Sequence, residues 1–414
     1  MINKPKGTYD VFGSDAILYN KISNIINASM INANVNFIRT PIFESSELFH
    51  RSVGETSDIV SKETYDFTDR ADRKLTLRPE NTASVVRAVI ENKLLANQSG
   101  VCKYYYLGTM YRYERPQSGR NREFTQFGIE AFNTKSVILD AEIIKLGYNL
   151  INEFGIKDIT VHLNTLGDAE SKENYKNALK EYIKPYLKDL CPDCNKRYET
   201  NPLRILDCKF DQDSEILKNV PKISDYLSDE SKKRFDEVKK LLLELDVDFV
   251  VDEKIVRGLD YYTDVVYEIK SEDGLVLGAG GRYDNLVSTL GGDSIPATGF
   301  AIGIERVILK LKEKEDVVSN SLDAFILAVS TEEKYHALKI MDELRSNCYS
   351  VDMCANDVSL KSQFKMADRL NSGFLIILND EDLKKGLVTI KDNNIKEEVK
   401  VDISEISDYF YDNL

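Results

Sequence analysis

No run in this sequence approaches the ~20 consecutive apolar residues that a membrane helix needs. The N-terminus, MINKPKGTYDVFG, lacks the apolar core of a secretory signal. The expectation is a cytoplasmic protein with no membrane contact. Cysteines number six, and without a secretory signal they should stay reduced. A basic excess is also missing: 55 Lys and Arg face 69 Asp and Glu, a net charge of −14. That balance counts against a surface broadly built for nucleic acid. Net charge is a whole-molecule sum, however, and a transient RNA complex needs only a local basic patch.

What is present is ordinary globular composition, 42% hydrophobic and 30% charged, over 414 residues. That length allows two to four domains, each able to bury a core. The most informative stretch is Lys103–Phe132, two strand-like runs joined by a short basic loop. In the second run Phe124, Gln126, Gly128 and Glu130 fall at period two and share one face of a strand. The opposite face receives Thr125, Phe127, Ile129 and Ala131, which suits a core. An aromatic, an amide and a carboxylate make poor packing, so the first face reads as a pocket floor on which Gly128 leaves room for a ligand. Arg112 and Glu114 share a face of the first run. The loop from Arg115 to Arg122 holds three arginines and invites phosphate. Taken alone, it reads more readily as a solvated hairpin tip.

Along the chain, Leu18, Ile22, Ile25 and Ser29, with Ile26 and Met30, predict a long amphipathic helix from about Asp15. A strand at Asn36–Thr40 is closed by Pro41, which suits an edge. Leu75–Glu80 reads as a strand, and Asn81 and Thr82 open a helix that either residue could cap. From about Asp168 to Leu245 the chain turns charged and helix-prone, interrupted by Cys191-Pro-Asp-Cys194. With Cys208 that makes three thiols and no nearby histidine; Asp207 or Asp211 could complete a set, but the expectation is no protein-bound metal. A strand at Val265–Ile269 and the glycine cluster Gly278-Ala-Gly-Gly-Arg-Tyr-Asp284 follow, then Ala297–Arg306, a strand, a glycine turn and a helix. Lys310–Ser321 reads as a linker. Beyond it, strands and helices alternate in the manner of a small α/β domain with a largely parallel sheet.

Tyr111-Arg-Tyr-Glu-Arg-Pro-Gln117 followed by Arg122-Glu-Phe-Thr-Gln-Phe-Gly-Ile-Glu130 resembles motif 2 of class II aminoacyl-tRNA synthetases, in its histidyl form. Val256-Arg-Gly-Leu-Asp-Tyr-Tyr262 and Gly278–Asp284 are similar to segments peculiar to the histidyl family, Asn36–Pro41 to motif 1, and Ala297–Arg306 to motif 3. The resemblance spans nearly the whole chain. It implies an α+β catalytic core, an antiparallel sheet with flanking helices, in residues 1–320. A helical insertion would occupy about 168–248, and an α/β anticodon-binding domain residues 321–414. It further implies a histidine–tRNA ligase that uses ATP with Mg²⁺, L-histidine and tRNA(His), and that forms a homodimer through motif 1.

By the same resemblance, Arg112 and Arg257 act at the reacting centre. Glu80, Asn81, Thr82, Gln126, Glu130, Tyr261, Tyr262 and Tyr283 join them around histidine. Glu114, Arg120, Phe124 and Arg306 serve ATP together with Arg112, and Arg115 and Gln117 meet the tRNA acceptor end. Asn81 and Asn285 stand where the family usually has glycine. The plain structural reading of Arg257 is an ion pair with Asp260 or another nearby carboxylate. Two rival functions share much of the pattern: a histidyl-synthetase-like regulatory subunit of ATP phosphoribosyltransferase, and a different class II synthetase. Residues beyond Ser321 and a filled set of site positions weigh against the first, and the Arg257–Tyr262 and Gly278–Asp284 segments against the second.

Overall fold

The two aromatic-rich runs flanking the basic loop pair as an antiparallel hairpin, Cys102–Tyr111 with Glu123–Phe132. In the computed structural model, which describes residues 2–53, 59–96, 100–208, 210–314 and 321–414, this hairpin lies within an eight-stranded sheet. From edge to edge the strands are Asn36–Phe37, Cys102–Tyr111, Glu123–Phe132, Ala297–Gly303, Val276–Arg282, Thr263–Ser271, Ile159–Thr165 and Phe249–Val251. The six inner strands pair antiparallel, and both edge strands pair parallel to their neighbours. Phe127, Ile129 and Ala131 are fully buried, as their period-two spacing requires. Helix Ile304–Lys314 lies against this strand, and helix Val137–Glu153 crosses the strands at 276–282 and 297–303.

Several boundaries differ from the sequence reading, each for a local reason. The first helix, Ser14–Asn32, buries Leu18, Ile22, Ile26 and Met30; Ile25 and Ser29 lie beside that stripe. The strand before Pro41 stops at Phe37, and the carbonyls of Thr40 and Pro41 instead accept from the Arg78 guanidinium, at 3.1 and 3.4 Å. Lys74–Leu77 ends before Pro79 and belongs to a separate three-stranded sheet with Phe43–Ser45 and Tyr65–Thr68. Of the expected linker, residues 310–314 are helical: Leu311 continues the buried stripe of Ile304 and Val307. Residues 315–320 lie outside the described residues.

The insertion is helical. Its two longest helices are Ala169–Ile183 and Asp229–Glu244. Asp168 ties their starts together, accepting from the Ser171 N–H at 2.8 Å and from the Ser228 hydroxyl at 2.6 Å.

By compactness the chain forms two units, residues 1–11 with 18–314 and residues 12–17 with 315–414. The second unit carries a five-stranded sheet in the order Val351–Met353, Ala324–Leu327, Phe374–Ile377, Leu387–Asp392, Glu398–Asp402. Its first three strands are parallel and its last two antiparallel, so the sheet is mixed. The strand at 398–402 escapes the sequence reading because only Val401 along it is buried. Helices Thr331–Ser346 and Leu360–Arg369 supply the α layer.

Candidate active site

A cleft of about 690 Å³ opens over the sheet within the first unit. Its chemistry is divided by charge. At one end the Glu123–Phe132 strand projects Glu130, which is 1% exposed. The Glu130 carboxylate accepts from the Thr82 hydroxyl at 2.7 Å, from Tyr106 at 3.4 Å and from Tyr283 in a short hydrogen bond. Glu80, also buried, accepts from the backbone N–H groups of Thr82 and Ala83 at 2.6 and 3.0 Å. Thr82 therefore bridges two buried carboxylates, its amide to one and its hydroxyl to the other. Burial pushes Glu130 up to about 8 and raises Glu80 above its usual range. Two raised carboxylates side by side form a pocket suited to a cation.

At the other end Arg112, Arg120 and Arg306 line the cleft with Glu114. Arg306 comes from the first turn of the Ile304–Lys314 helix and donates to Val276 O at 2.7 Å and Gly119 O at 3.3 Å. Burial, then the neighbouring Arg120, lowers its affinity for its own proton. This end suits an anion. Arg112 reaches toward both ends: its Nε donates to Pro79 O beside Glu80 at 2.8 Å, and its Nη1 lies 3.9 Å from Glu114. Its guanidinium also stands 5.2 Å from the centre of the Phe124 ring.

Arg257 lines the wall and pairs with Glu268 at 2.7 Å, a carboxylate the sequence reading did not single out. Of the carboxylates the sequence offered, Asp260 accepts instead from Asn201 at 2.6 Å, and the pair is made with Glu268. Arg257 Nε is buried without a hydrogen-bond partner among the described residues. Tyr261 and Tyr262 lie 4.7 Å apart between ring centres, tilted by 37°, and Tyr261 meets Tyr283 edge-on at 5.6 Å. Thus Glu80, Thr82, Arg112, Glu114, Arg120, Phe124, Gln126, Glu130, Arg257, Tyr261, Tyr262, Tyr283 and Arg306, scattered along the sequence, meet in one cleft.

Other expected residues do not line it. Asn81 is 1% exposed and its side-chain oxygen accepts from Thr40 at 2.7 Å and Arg78 at 3.0 Å, so it anchors the turn. Nor does its side chain cap the helix Thr82–Glu91; the Glu80 carboxylate takes those N–H groups. Gly128 does not leave room for a ligand, because the Tyr106 hydroxyl fills the space above it. Of the three loop arginines only Arg120 lines the cleft. Arg122 packs 4.0 Å over the Tyr113 ring, while Arg115 and Gln117 are exposed at the hairpin tip.

Sequence reasoning missed Tyr106, Glu268 and the insertion's Arg197 and Arg204, and it offered Asp207 only as a possible metal donor, not as a cleft residue. Tyr106 was within reach, since antiparallel pairing sets it opposite Gly128 on the pocket face. The insertion residues carried no periodic signal. The insertion also gathers Cys191, Cys194, Cys208 and Asp211, with donor atoms all within 4.8 Å of one another. Of the two aspartates that the sequence offered to complete the set, Asp211 stands with the thiols and Asp207 does not.

Residues 35–307 match the family described as Histidyl-tRNA synthetase, and residues 323–413 match the Anticodon binding domain. The chain is 43% identical to the histidine–tRNA ligase of Bacillus cytotoxicus, covering 100% of this chain and 99% of that one. It is 40% identical to the histidine–tRNA ligase of Staphylococcus haemolyticus over 99% of both chains. Among solved structures it resembles the apo histidyl-tRNA synthetase of S. aureus, with a TM-score of 0.82 and 34% identity over 99% of this chain and 100% of the other.

Proposed function

The chain belongs to the histidyl-tRNA synthetase family, and from that premise we propose how its cleft carries out ATP-dependent ligation of histidine to tRNA. The observation that carries the reading is the division of charge. The buried Glu80–Thr82–Glu130 group suits a cation, and the Arg112, Arg120 and Arg306 end suits a polyphosphate.

In the first half-reaction the carboxylate of histidine attacks the α-phosphorus of ATP. The bond to the bridging oxygen breaks and pyrophosphate leaves. Such chemistry depends on positioning and charge neutralisation. Arg112 and Arg257 bracket the α-phosphate and the attacking carboxylate, and Arg120 and Arg306 hold the β- and γ-phosphates. Phe124 stacks on adenine. Glu80, Thr82 and Gln126 take the ammonium, because a buried ammonium must be paired. Glu130 and the hydroxyls of Tyr261, Tyr262 and Tyr283 face the imidazole, which offers both a donor and an acceptor. A site whose polar groups would otherwise stay unpaired can reject a non-polar analogue by ~10⁴ or more. In the second half-reaction the terminal ribose hydroxyl of tRNA(His) attacks the activated carbonyl and AMP leaves. Arg115 and Gln117, exposed at the hairpin tip, are available to the acceptor end.

Mg²⁺ suits the phosphate end by its chemistry. Glu114, 3.6 Å from Arg120, is an oxygen donor of the kind that ion combines with substrate phosphates. Glu114 would hold it, and an ion bound there would supply neutralisation of phosphate charge.

The reading extends to a catalytic domain over residues 1–320, an anticodon-binding domain over 321–414, a cytoplasmic location and a homodimer. Ile31, Phe37, Ile42 and Phe43 are exposed apolar residues on or near the motif 1 segment, which supports the dimer. No described helix is long and apolar enough to cross a membrane. The test is ATP–pyrophosphate exchange across the amino acids: exchange dependent on histidine alone is expected. No exchange with any amino acid would favour the regulatory-subunit reading, and exchange with a different one another class II synthetase.

A further inference from the structure

The sulfur cluster of the insertion takes no part in either half-reaction, yet its geometry is that of a metal site. Cys191 precedes the helix Pro192–Thr200, with proline at the first helical position. Its Sγ accepts from the Cys194 N–H at 3.4 Å, so the sulfur is bent back over the start of the helix. Cys208 arrives after a turn at residues 202–205, and its Sγ lies 3.6 Å from Cys191 Sγ and 3.6 Å from Asp211 Oδ2. The same Asp211 oxygen accepts from the Cys191 N–H at 3.1 Å, which aims the carboxylate into the cluster.

We propose that Cys191, Cys194, Cys208 and Asp211 bind one zinc ion in a closed tetrahedral site. A tetrahedron with Zn–S bonds of ~2.3 Å has sulfur–sulfur edges of about 3.8 Å. The Cys191–Cys208 sulfur separation of 3.6 Å matches that edge, and the Cys208 sulfur stands equally close to the Asp211 oxygen, at 3.6 Å. Two buried thiols and a half-buried one could instead serve as small apolar residues. That does not account for a carboxylate oxygen directed at them. The donors are three soft sulfurs and one oxygen, a set that suits zinc and leaves hard cations such as Mg²⁺ poorly served. All four positions are filled by protein, so the site is structural.

The ligand-bearing stretch forms part of the cleft wall. Arg197, Arg204 and Asp207 line the cleft. Arg197 donates to Arg204 O at 3.1 Å, Arg204 donates to Arg257 O at 3.4 Å, and Asn201 donates to Asp260 at 2.6 Å. The ion thus braces the segment against which the Arg257 loop rests. The metal site itself rests on the ligand geometry alone; only this bracing role depends on the proposed function.

The full-length protein, purified under reducing conditions without chelator and reconstituted with zinc(II), should hold about one zinc per chain by elemental analysis. Substitution with cobalt(II) should give the intense visible bands of a tetrahedral thiolate site. Cys194→Ser and Cys208→Ser should each lower zinc content at least tenfold, and Cys102→Ser should leave it unchanged. Because the two ligand variants risk misfolding, thiol labelling of the native wild type supplies an independent measure: zinc should protect three of its six cysteines. Less than a tenth of an equivalent of zinc after reconstitution, iron in its place, or no protection of thiols would overturn the proposal.

Discussion

Tyr106 and Gly128 face each other across the hairpin, and the tyrosine hydroxyl occupies the space that any side chain at 128 would need. From that position Tyr106 reaches Glu130 at 3.4 Å. The glycine thus serves the site at one remove, by seating a tyrosine against the buried carboxylate.

Gly128→Ala should therefore act as an overpacking substitution. The added methyl meets the Phe300 carbonyl, which is backbone and cannot step aside, as well as the Tyr106 ring. A stability loss of about 1–3 kcal/mol is expected by denaturant titration. The KM for histidine should rise with it. Wild-type values for both would mean the sheet opens at no cost.

Glu130 gives a pH prediction. Burial holds its carboxyl near 8 in the folded chain, against ~4.3 in an unfolded one. Between those values the folded state binds the extra proton, so the group's contribution to stability falls as pH rises toward 8. Relative to wild type, Glu130→Gln should melt higher at pH 9 than its offset at pH 5 would suggest. Histidine binding near pH 7 should release up to about one proton as the carboxylate ionises against its ligand. Calorimetry in buffers of different ionisation enthalpy measures that release, and none would mean Glu130 is already charged.

Arg257→Ala should lower the rate of ATP–pyrophosphate exchange by about 10²–10³, the loss typical of a group that meets developing charge. The fold should survive, because Glu268 keeps Lys270 at 3.3 Å as a countercharge. Exchange within a few-fold of wild type, with the fold intact by circular dichroism, would remove Arg257 from the reacting centre.

Arg282 has a different role from its neighbour Tyr283. It is fully buried and donates to Asp140 at 2.8 Å, Asp284 at 2.9 Å and Thr134 O at 3.0 Å. Arg282→Ala should cost about 3–5 kcal/mol, because it leaves buried Asp140 with only the more distant Arg234, at 3.6 Å, as a countercharge. The histidine KM of whatever fraction folds should stay near that of wild type; a selective rise in KM without loss of stability would make Arg282 a binding residue.

Removing residues 321–414 should separate the half-reactions. Every residue assigned to ATP and histidine precedes that point, so exchange should persist while aminoacylation of tRNA falls much further. Equal losses would mean the C-terminal domain acts through folding.

Some of this was legible in one dimension. Period-two alternation along 123–132 determined which residues reach the cleft, since a strand offers only two faces. The stripes at 18–30 and 304–311 determined helices, and motif order determined the family. What tertiary structure alone decided is which neighbours share a face from distant segments. Arg257 is paired with Glu268 eleven residues away rather than with Asp260 three away, because the strand Thr263–Ser271 brings Glu268 to the cleft wall. Asn81 turned from ligand to anchor because Thr40 and Arg78 converge on it. Asp211 joined three cysteines because the turns at 202–205 bring it back beside Cys191. Periodicity encodes the face a residue takes on its own element; its partner from another element depends on how the chain folds back, and no local pattern carries that information.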